Sequence, residues 1–447
     1  MPRSDDNSGK AAPDDFVGET GFGQLSSRFA AIAISLVVGA MVGFATVVFV
    51  KIAALTLPYW HTLLPRELSF ADYSYSPIVG FALLIAALVA GLILRQIESG
   101  QPQGPADLIR AAQHERDPDL RNGFLSSLLS LVSLSGGASV GIFGPLVHFG
   151  GCLSSLLQRK LTRLPRGVVL GSGAGAAIAA AFSAPIGAAV FAHETVIRRF
   201  GAFGTAPVIA CSFSAYLVSY LLLGEHRLFA AFASPVLNLT SLVTVIGVGT
   251  ASGFASALYI LAVTESPKLA DLSRIALPLR PLVPAALLFV LSPVLPHLLG
   301  TGMGSIDMAM AGKFTLGLLL TLAVAKILLT SLCLGFGFFG GTFGPALFIG
   351  AMIGGIFDAV LTGPASGYAT YAALGAASCI AAVIGAPLAA IVIVFELTGS
   401  YTWALLSMIS VVTATQISRS FVGRSLFDRQ LKIRGVTVGD DYAVRKP

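Results

Sequence analysis

Two short segments of the form Gly-x-Phe-Gly-Pro can do chemistry without any reactive side chain. Gly141-Ile142-Phe143-Gly144-Pro145 recurs as Gly341-Thr342-Phe343-Gly344-Pro345, an offset of 341 − 141 = 200. Each follows a glycine-rich approach, residues 135–140 and 335–340, that makes poor continuous helix. Each precedes an apolar helical run, residues 146–157 and 346–357. Proline suits the first turn of a helix, where no backbone donor is needed. Both motifs therefore read as helix starts. A helix start carries unpaired N–H groups and the positive end of the dipole, which together hold an anion without a full positive charge. Binding of that kind permits release, as conduction requires. Glycine kinks for helix packing explain either motif alone, but explain two at matched positions poorly.

A second matched pair lies downstream. Ala184-Pro185-Ile186-Gly187-Ala188-Ala189-Val190, followed by Glu194, parallels Ala386-Pro387-Leu388-Ala389-Ala390-Ile391-Val392, followed by Glu396, at an offset of 387 − 185 = 202. Two motifs in one order at nearly one offset mark a duplicated chain. The division expected is a segment over 1–28, a first repeat over 29–223, a second over 224–422 and a C-terminal segment with a basic tail over 423–447. Duplicated transporter folds commonly invert their repeats and place the ion site near midplane, where the repeats meet.

The composition demands a membrane. Of 447 residues, 55% are hydrophobic and 11% charged, whereas soluble domains carry about 25% charged residues. The mean hydropathy is +0.84. Apolar runs over 29–50, 78–94, 204–223, 314–334 and 403–412 with its flanks approach the length of a spanning helix. The 49 glycines and 23 prolines fit close helix packing and broken helices. The fold class expected is an all-α polytopic membrane protein.

Charge locates the loops. The net charge of +6 gathers at 95–121, 159–166, 198–199, 268–280 and 419–446. That pattern marks cytoplasmic loops rather than a nucleic-acid partner. Residues 58–76 hold one basic residue, Arg66, beside Tyr59, Trp60, Tyr73 and Tyr75, and read as an outer loop with interfacial aromatics. Cys152, Cys211, Cys333 and Cys379 show no ligand spacing and are expected to pack in apolar segments. Residues 1–15 are polar, so no cleaved signal peptide is expected.

On these motifs the chain resembles the CLC family of chloride channels and chloride/proton exchangers over nearly its whole length. Gly341 to Pro345 matches the family's Gly-Ile-Phe-Ala-Pro segment, whose amides bind the central chloride, which implies Thr342 and Phe343 as donors. Gly141 to Pro145, followed by Val147-His148-Phe149-Gly150-Gly151, matches the Gly-Arg-Glu-Gly-Pro segment, which implies Ile142, Phe143 and Gly144. Phe182-Ser183-Ala184-Pro185 and Phe395-Glu396-Leu397-Thr398-Gly399 match further signatures. The family's Gly-Ser-Gly-Ile-Pro-Glu helix start aligns best on Pro102-Gln103-Gly104-Pro105-Ala106-Asp107, placing Gln103 at the chloride-binding serine with Gly104 beside it. A rival alignment over Glu98-Ser99-Gly100-Gln101-Pro102 keeps the serine but lengthens the gap to Gly141. The resemblance implies a CLC-type inverted repeat whose broken helices meet at a midplane anion site. It further implies a bacterial-type member without CBS domains, in the inner (plasma) membrane, with both termini cytoplasmic. The partners implied are chloride or similar small anions, the lipid bilayer and a second copy in a homodimer with one pore per subunit; no cofactor is expected beyond the transported ion.

The departures from the family are as telling. Where the family carries its gating glutamate this chain has Phe143; at the exchangers' inner proton-relay acid it has Thr195; at the pore-lining tyrosine it has Phe427. A phenyl ring neither carries a proton nor donates an O–H bond. Glu194 and His193 remain as a possible proton route beside Thr195, although a hydrogen-bonding role for Glu194 and Glu396, and packing roles for His148 and His193, are the simpler readings. Lys326 either lends positive potential to the anion path or snorkels. Asp307 and Asp358 receive no role.

Chloride transport by passive conduction, uncoupled from protons and with Phe143 as the gate, is the function expected. Chloride/proton antiport by a non-standard route is the alternative, which a pH-dependent reversal potential would separate. An intramembrane enzyme is the remote one: no His-Glu-x-x-His motif and no convincing Ser/His or Asp pair is present, so no catalytic residue and no metal ligand is assigned.

Overall fold

The computed structural model describes residues 21–62, 69–70, 73–74, 77–98, 100–158, 164–199, 202–224, 237–361 and 370–436. Apart from a hairpin of two two-residue strands (Ser69–Phe70 with Tyr73–Ser74), the regular elements among the described residues are helices. The first set of helices is α1 (Gly21–Thr62), α2 (Pro77–Leu94), α3 (Pro105–Gln113), α4 (Leu120–Ser135), α5 (Phe143–Gln158), α6 (Arg166–Phe182), α7 (Pro185–Phe191) and α8 (Ala202–Leu223). The second is α9 (Leu239–Leu272), α10 (Leu282–Leu291), α11 (Met303–Met310), α12 (Leu316–Gly335), α13 (Phe343–Leu361), α14 (Thr370–Ile384), α15 (Pro387–Thr398) and α16 (Tyr401–Val422), and α17 (Leu426–Ile433) closes the order. Each helix of the first set has its counterpart eight places on, with starts offset by 343 − 143 = 200, 387 − 185 = 202 and 401 − 202 = 199.

Six segments are long and apolar enough to cross a membrane, among them Arg28–Ala54, Leu239–Leu272 and Leu316–Gly335. Their outward faces stay greasy, with Phe44, Phe81, Leu258 and Leu328 exposed, as a lipid-facing surface requires. α9 is the element that reading the apolar runs missed. Its apolar residues are interrupted by Gly249, Ser252 and Gly253, and these small residues let it lie against α16: a Cβ at Gly249 would stand 2.6 Å from the Ser410 carbonyl. The loop expected over 58–76 begins later than the sequence suggests, because α1 runs on to Thr62. Most of residues 63–76 lie outside the described residues, as do 1–20 and the basic tail over 437–447.

The two repeats touch at their matched motifs. The Gly141 amide donates to the Gly341 carbonyl at 2.7 Å, and the Gly341 amide returns a bond to Gly141 at 2.5 Å. The pair is antiparallel. Counterpart residues that bond to one another antiparallel lie on a two-fold axis, and helices that begin there run away from it in opposite directions. This is the inverted repeat. Its close approach needs glycine, since a Cβ on Gly141 would come within 2.6 Å of the Gly341 oxygen.

Candidate functional site

The helix starts lie slightly earlier than the apolar runs suggest, at Phe143 and Phe343, so that Pro145 and Pro345 occupy the third helical position. The first bonds of the two ladders run from the Leu146 amide to the Ile142 carbonyl (3.3 Å) and from the Ala346 amide to the Thr342 carbonyl (3.1 Å). The amides of Ile142, Phe143, Gly144, Thr342 and Phe343 therefore precede the ladders, and none donates to a backbone carbonyl among the described residues. The Thr342 hydroxyl is also buried without a hydrogen-bond partner there. Buried donors are normally paired, so a cluster of open donors at two facing helix starts is suited to an anion.

Two more helices begin beside this cluster. α3 arrives through Pro105, whose Cγ lies 3.7 Å from where a Gly144 Cβ would be. α17 arrives through Phe427, buried, with its ring centroid 6.1 Å from that of Phe343. Arg434 at the far end of α17 meets Asp107 of α3 at 2.7 Å and ties the two short helices together. The backbone of the α3 entry is already engaged: the Gln103 amide donates to Ser126 Oγ at 2.8 Å and the Gly104 amide to Asp107 Oδ2 at 3.0 Å. Gly104 thus has no free donor to offer, and what Gln103 can still present is its half-buried side chain. Ser99 lies outside the described residues.

Aromatic rings cover the apolar side of the site. Phe143 is 5% exposed and packs on Phe182 with centroids 4.2 Å apart; Phe343 meets Phe191 at 5.9 Å. Behind Phe182, Phe191 and Phe343 lies a cavity of about 60 Å³, lined also by Ile178, Ile384 and Ala389. Of the cavity's lining only Thr398 and Trp403 carry a polar side-chain group.

Glu194, His193 and Thr195 lie away from the helix starts, on a π-helical turn over Ala192–Ile197 that continues α7. Glu194 accepts from the amides of Leu388 (3.1 Å) and Ala389 (2.9 Å), the first turn of α15. Its counterpart Glu396, on α15, accepts from Ile186 (2.9 Å) and Gly187 (2.7 Å), the first turn of α7. Every atom in one pair of bonds maps onto the other by the offset of 202. Each carboxylate caps the helix that carries its twin, which explains why both acids follow Ala-Pro helix starts at the same distance. Glu194→Ala and Glu396→Ala should each lower stability by about 1–2 kcal/mol, the worth of a helix cap. Thermal unfolding in detergent measures this, and unchanged melting in both variants would remove the capping role.

The remaining polar residues divide. His193 Nδ1 donates to the Arg199 carbonyl at 2.8 Å. His148 is buried, with Nδ1 3.7 Å from Cys152 Sγ and no partner on Nε2 among the described residues. Asp358 accepts from the Tyr371 and Ala372 amides at the start of α14. All four cysteines are buried and free. One functional contact leaves no trace in the sequence. Arg198, 2% exposed, donates to Asp428 at 2.7 Å and to the Thr195 carbonyl at 3.2 Å, locking the π-helical turn to α17 and hence to Phe427. By sequence Arg198 is one more loop charge, and its partner is 428 − 198 = 230 residues away.

A duplicated helical membrane fold with broken helices abutting on a two-fold axis, and open amides at the junction, is the architecture of inverted-repeat ion transport proteins. The chain belongs to the CLC family, a family of channels and transporters for chloride and other small anions. The family model described as voltage gated chloride channel matches residues 81–419. Among curated relatives, a putative chloride channel protein ClcB-like from Ralstonia nicotianae is 30% identical over 359 residues, covering 77% of this chain and 83% of the relative. The voltage-gated ClC-type chloride channel ClcB of Salmonella typhimurium is 24% identical, covering 77% and 84%. A slow cyanobacterial chloride/proton antiporter shares the fold with a TM-score of 0.79 at 18% identity, covering 91% of this chain and 98% of that one. A CLC-type fluoride/proton antiporter does so with 0.77 at 22%, covering 92% and 99%.

Proposed function

We propose that the protein conducts chloride and similar small anions passively, without coupling to protons. The observation that carries this reading is Phe143: a phenyl ring stands among the open amides of the first helix start, where coupling needs a group that takes up and releases a proton. Two further residues support it. Glu194, the acid of the possible proton route, spends both oxygens on the start of α15. Thr195 presents a hydroxyl, which does not titrate in this range. The anion is held by the amides of Ile142, Phe143, Gly144, Thr342 and Phe343, with the Gln103 side chain beside them and Phe427 as an apolar wall. No cofactor enters this scheme.

The test is chloride efflux from liposomes, with and without an imposed proton gradient. Efflux should be indifferent to the gradient. Uphill proton movement driven by a chloride gradient would falsify the reading and establish antiport. That second reading has its own support: two solved structures with this fold are of proton antiporters, and the Nε2 of His148, unpartnered among the described residues, offers a proton acceptor five residues beyond Phe143 on α5.

In this reading the protein sits in a bacterial inner membrane with both termini cytoplasmic and works as a homodimer, one pore per subunit. The protein mass of the detergent-solubilised particle should then be twice 46.1 kDa. A monomer that still transports would contradict the dimer and leave the pore assignment standing.

A further inference from the structure

The π-helical turn over Ala192–Ile197 ends in a junction of side chains. The last four carbonyls of a helix have no partner within it. Here all four, from Glu194 to Ile197, accept from side chains. Arg424 Nη2 donates to the Glu194 carbonyl (3.2 Å) and Arg198 Nε to that of Thr195 (3.2 Å). Gln113 Nε2 donates to those of Val196 (2.9 Å) and Ile197 (2.8 Å). Gln113 closes α3 and Arg424 precedes α17. One helix end therefore holds both short helices that begin beside the open amides.

Arg198 carries this junction on to α17 itself. Its backbone is left-handed, with φ 59°, a conformation that glycine takes without strain and other residues rarely adopt. Its side chain is buried, and the guanidinium passes the Thr195 carbonyl to reach Asp428 Oδ1 at 2.7 Å. Asp428 is fixed in turn. Its other oxygen accepts from the Ser425 hydroxyl, and Ser425 Oγ accepts from the Asp428 amide at 3.1 Å, capping α17. Phe427, the residue before Asp428, is thereby held with its ring 6.1 Å from that of Phe343. Further along, Arg429 donates to Thr264 Oγ1 at 3.0 Å and Arg434 pairs with Asp107, so the far half of α17 has ties of its own. The Arg198 pair acts on the first turn, where Phe427 lies. Stability alone does not call for it, since apolar side chains of like volume often replace a buried ion pair without loss.

We propose that Arg198 is a positioning residue of the anion path: through Asp428 it holds the Phe427 ring beside the Phe343 helix start and so restricts flux. This rests on the reading of the helix starts as an anion site. Arg198→Met keeps much of the bulk and removes the guanidinium, and Arg198→Met with Asp428→Leu leaves no charge unpaired. Chloride efflux from liposomes should rise about fivefold in either, within the range of couplings between residues in contact. Arg198→Lys, which can still pair with Asp428, should keep the low efflux. Phe427→Ala should raise efflux as Arg198→Met does. Adding Arg198→Met to it should raise efflux no further, because the ring through which Arg198 acts is gone. Where Arg198→Met does not fold, the Met/Leu double variant carries the same comparison. Unchanged efflux in the folded variants, or an equal rise with and without the Phe427 ring, overturns the proposal and leaves the pair a structural tie. An unmodified protein that passes no chloride overturns the anion-path reading itself, and this proposal with it.

Discussion

Truncating Phe143 to alanine should raise chloride flux and leave it independent of pH. The ring is buried against Phe182 at the first helix start, so in the proposed passive path it would stand as an apolar plug. Apolar constrictions limit ions by excluding water, and removing one admits water beside the amides. The variant loses a buried aromatic contact as well, at about 3–5 kcal/mol for a Phe→Ala change in a packed core, so its melting temperature should fall while its flux rises. Phe143→Glu makes the opposite case. An ionised carboxylate at that position competes with chloride for the open amides of Ile142 and Gly144, and protonation ends the competition. Burial raises the acid's pKa above its reference of about 4.3, because desolvation penalises the charged form. Flux should therefore be low above the raised pKa and increase as the pH falls through it. Coupled exchange should not return, because Thr195 still offers no inner acid. Liposome flux over a pH series measures both variants. A Phe143→Ala protein that conducts no better than the unmodified one removes the ring as the constriction.

The two helix starts were legible in the residues because they are built from backbone. Donors at helix starts require glycine to reach them and proline to begin them, and both leave marks at fixed spacing. The duplication was legible for the same reason, whereas the antiparallel pairing of Gly141 with Gly341 is seen only in the structure. What the sequence withheld were side-chain partners distant along the chain. The offset of 202 relates Glu194 to Glu396, but nothing local says that each caps the other's helix. Ser126 gives no sign that it occupies the Gln103 amide, which narrows the part that the α3 entry can play. Lys326 was undecidable from α12 alone, since whether a long side chain snorkels depends on what lies beside it, here the Leu298 and Gly300 carbonyls, to which its Nζ donates, and Phe348. α9 was missed because small residues that pack a helix tightly also dilute its apolar run.

Substituting Gly341 by alanine should all but abolish anion binding while leaving the rest of the fold in place. Its added Cβ meets backbone alone: the Gly144 amide nitrogen closer than any ordinary contact, then the Gly144 Cα at 3.1 Å and the Phe143 amide nitrogen at 3.2 Å. No flexible side chain stands there to move aside, so the two motifs must separate. Both bridge bonds with Gly141 then lengthen, and the open amides of Phe143 and Gly144 turn away from those of Thr342 and Phe343. Overpacking of this kind costs about 1–3 kcal/mol in stability. The functional loss is larger, because an anion that forfeits one charge-assisted hydrogen bond loses about 1.5–3 kcal/mol, or about ten- to hundredfold in affinity. Gly317→Ala supplies the control, since it adds the same methyl near the start of α12, where a Cβ would meet nothing within 4 Å. That variant should bind and conduct as the unmodified protein does. Bromide-soaked crystals compare the two directly: anomalous density should lie between the helix starts in Gly317→Ala and be missing in Gly341→Ala. Full halide occupancy in a folded Gly341→Ala protein would mean that the anion is held elsewhere than at the junction of the repeats.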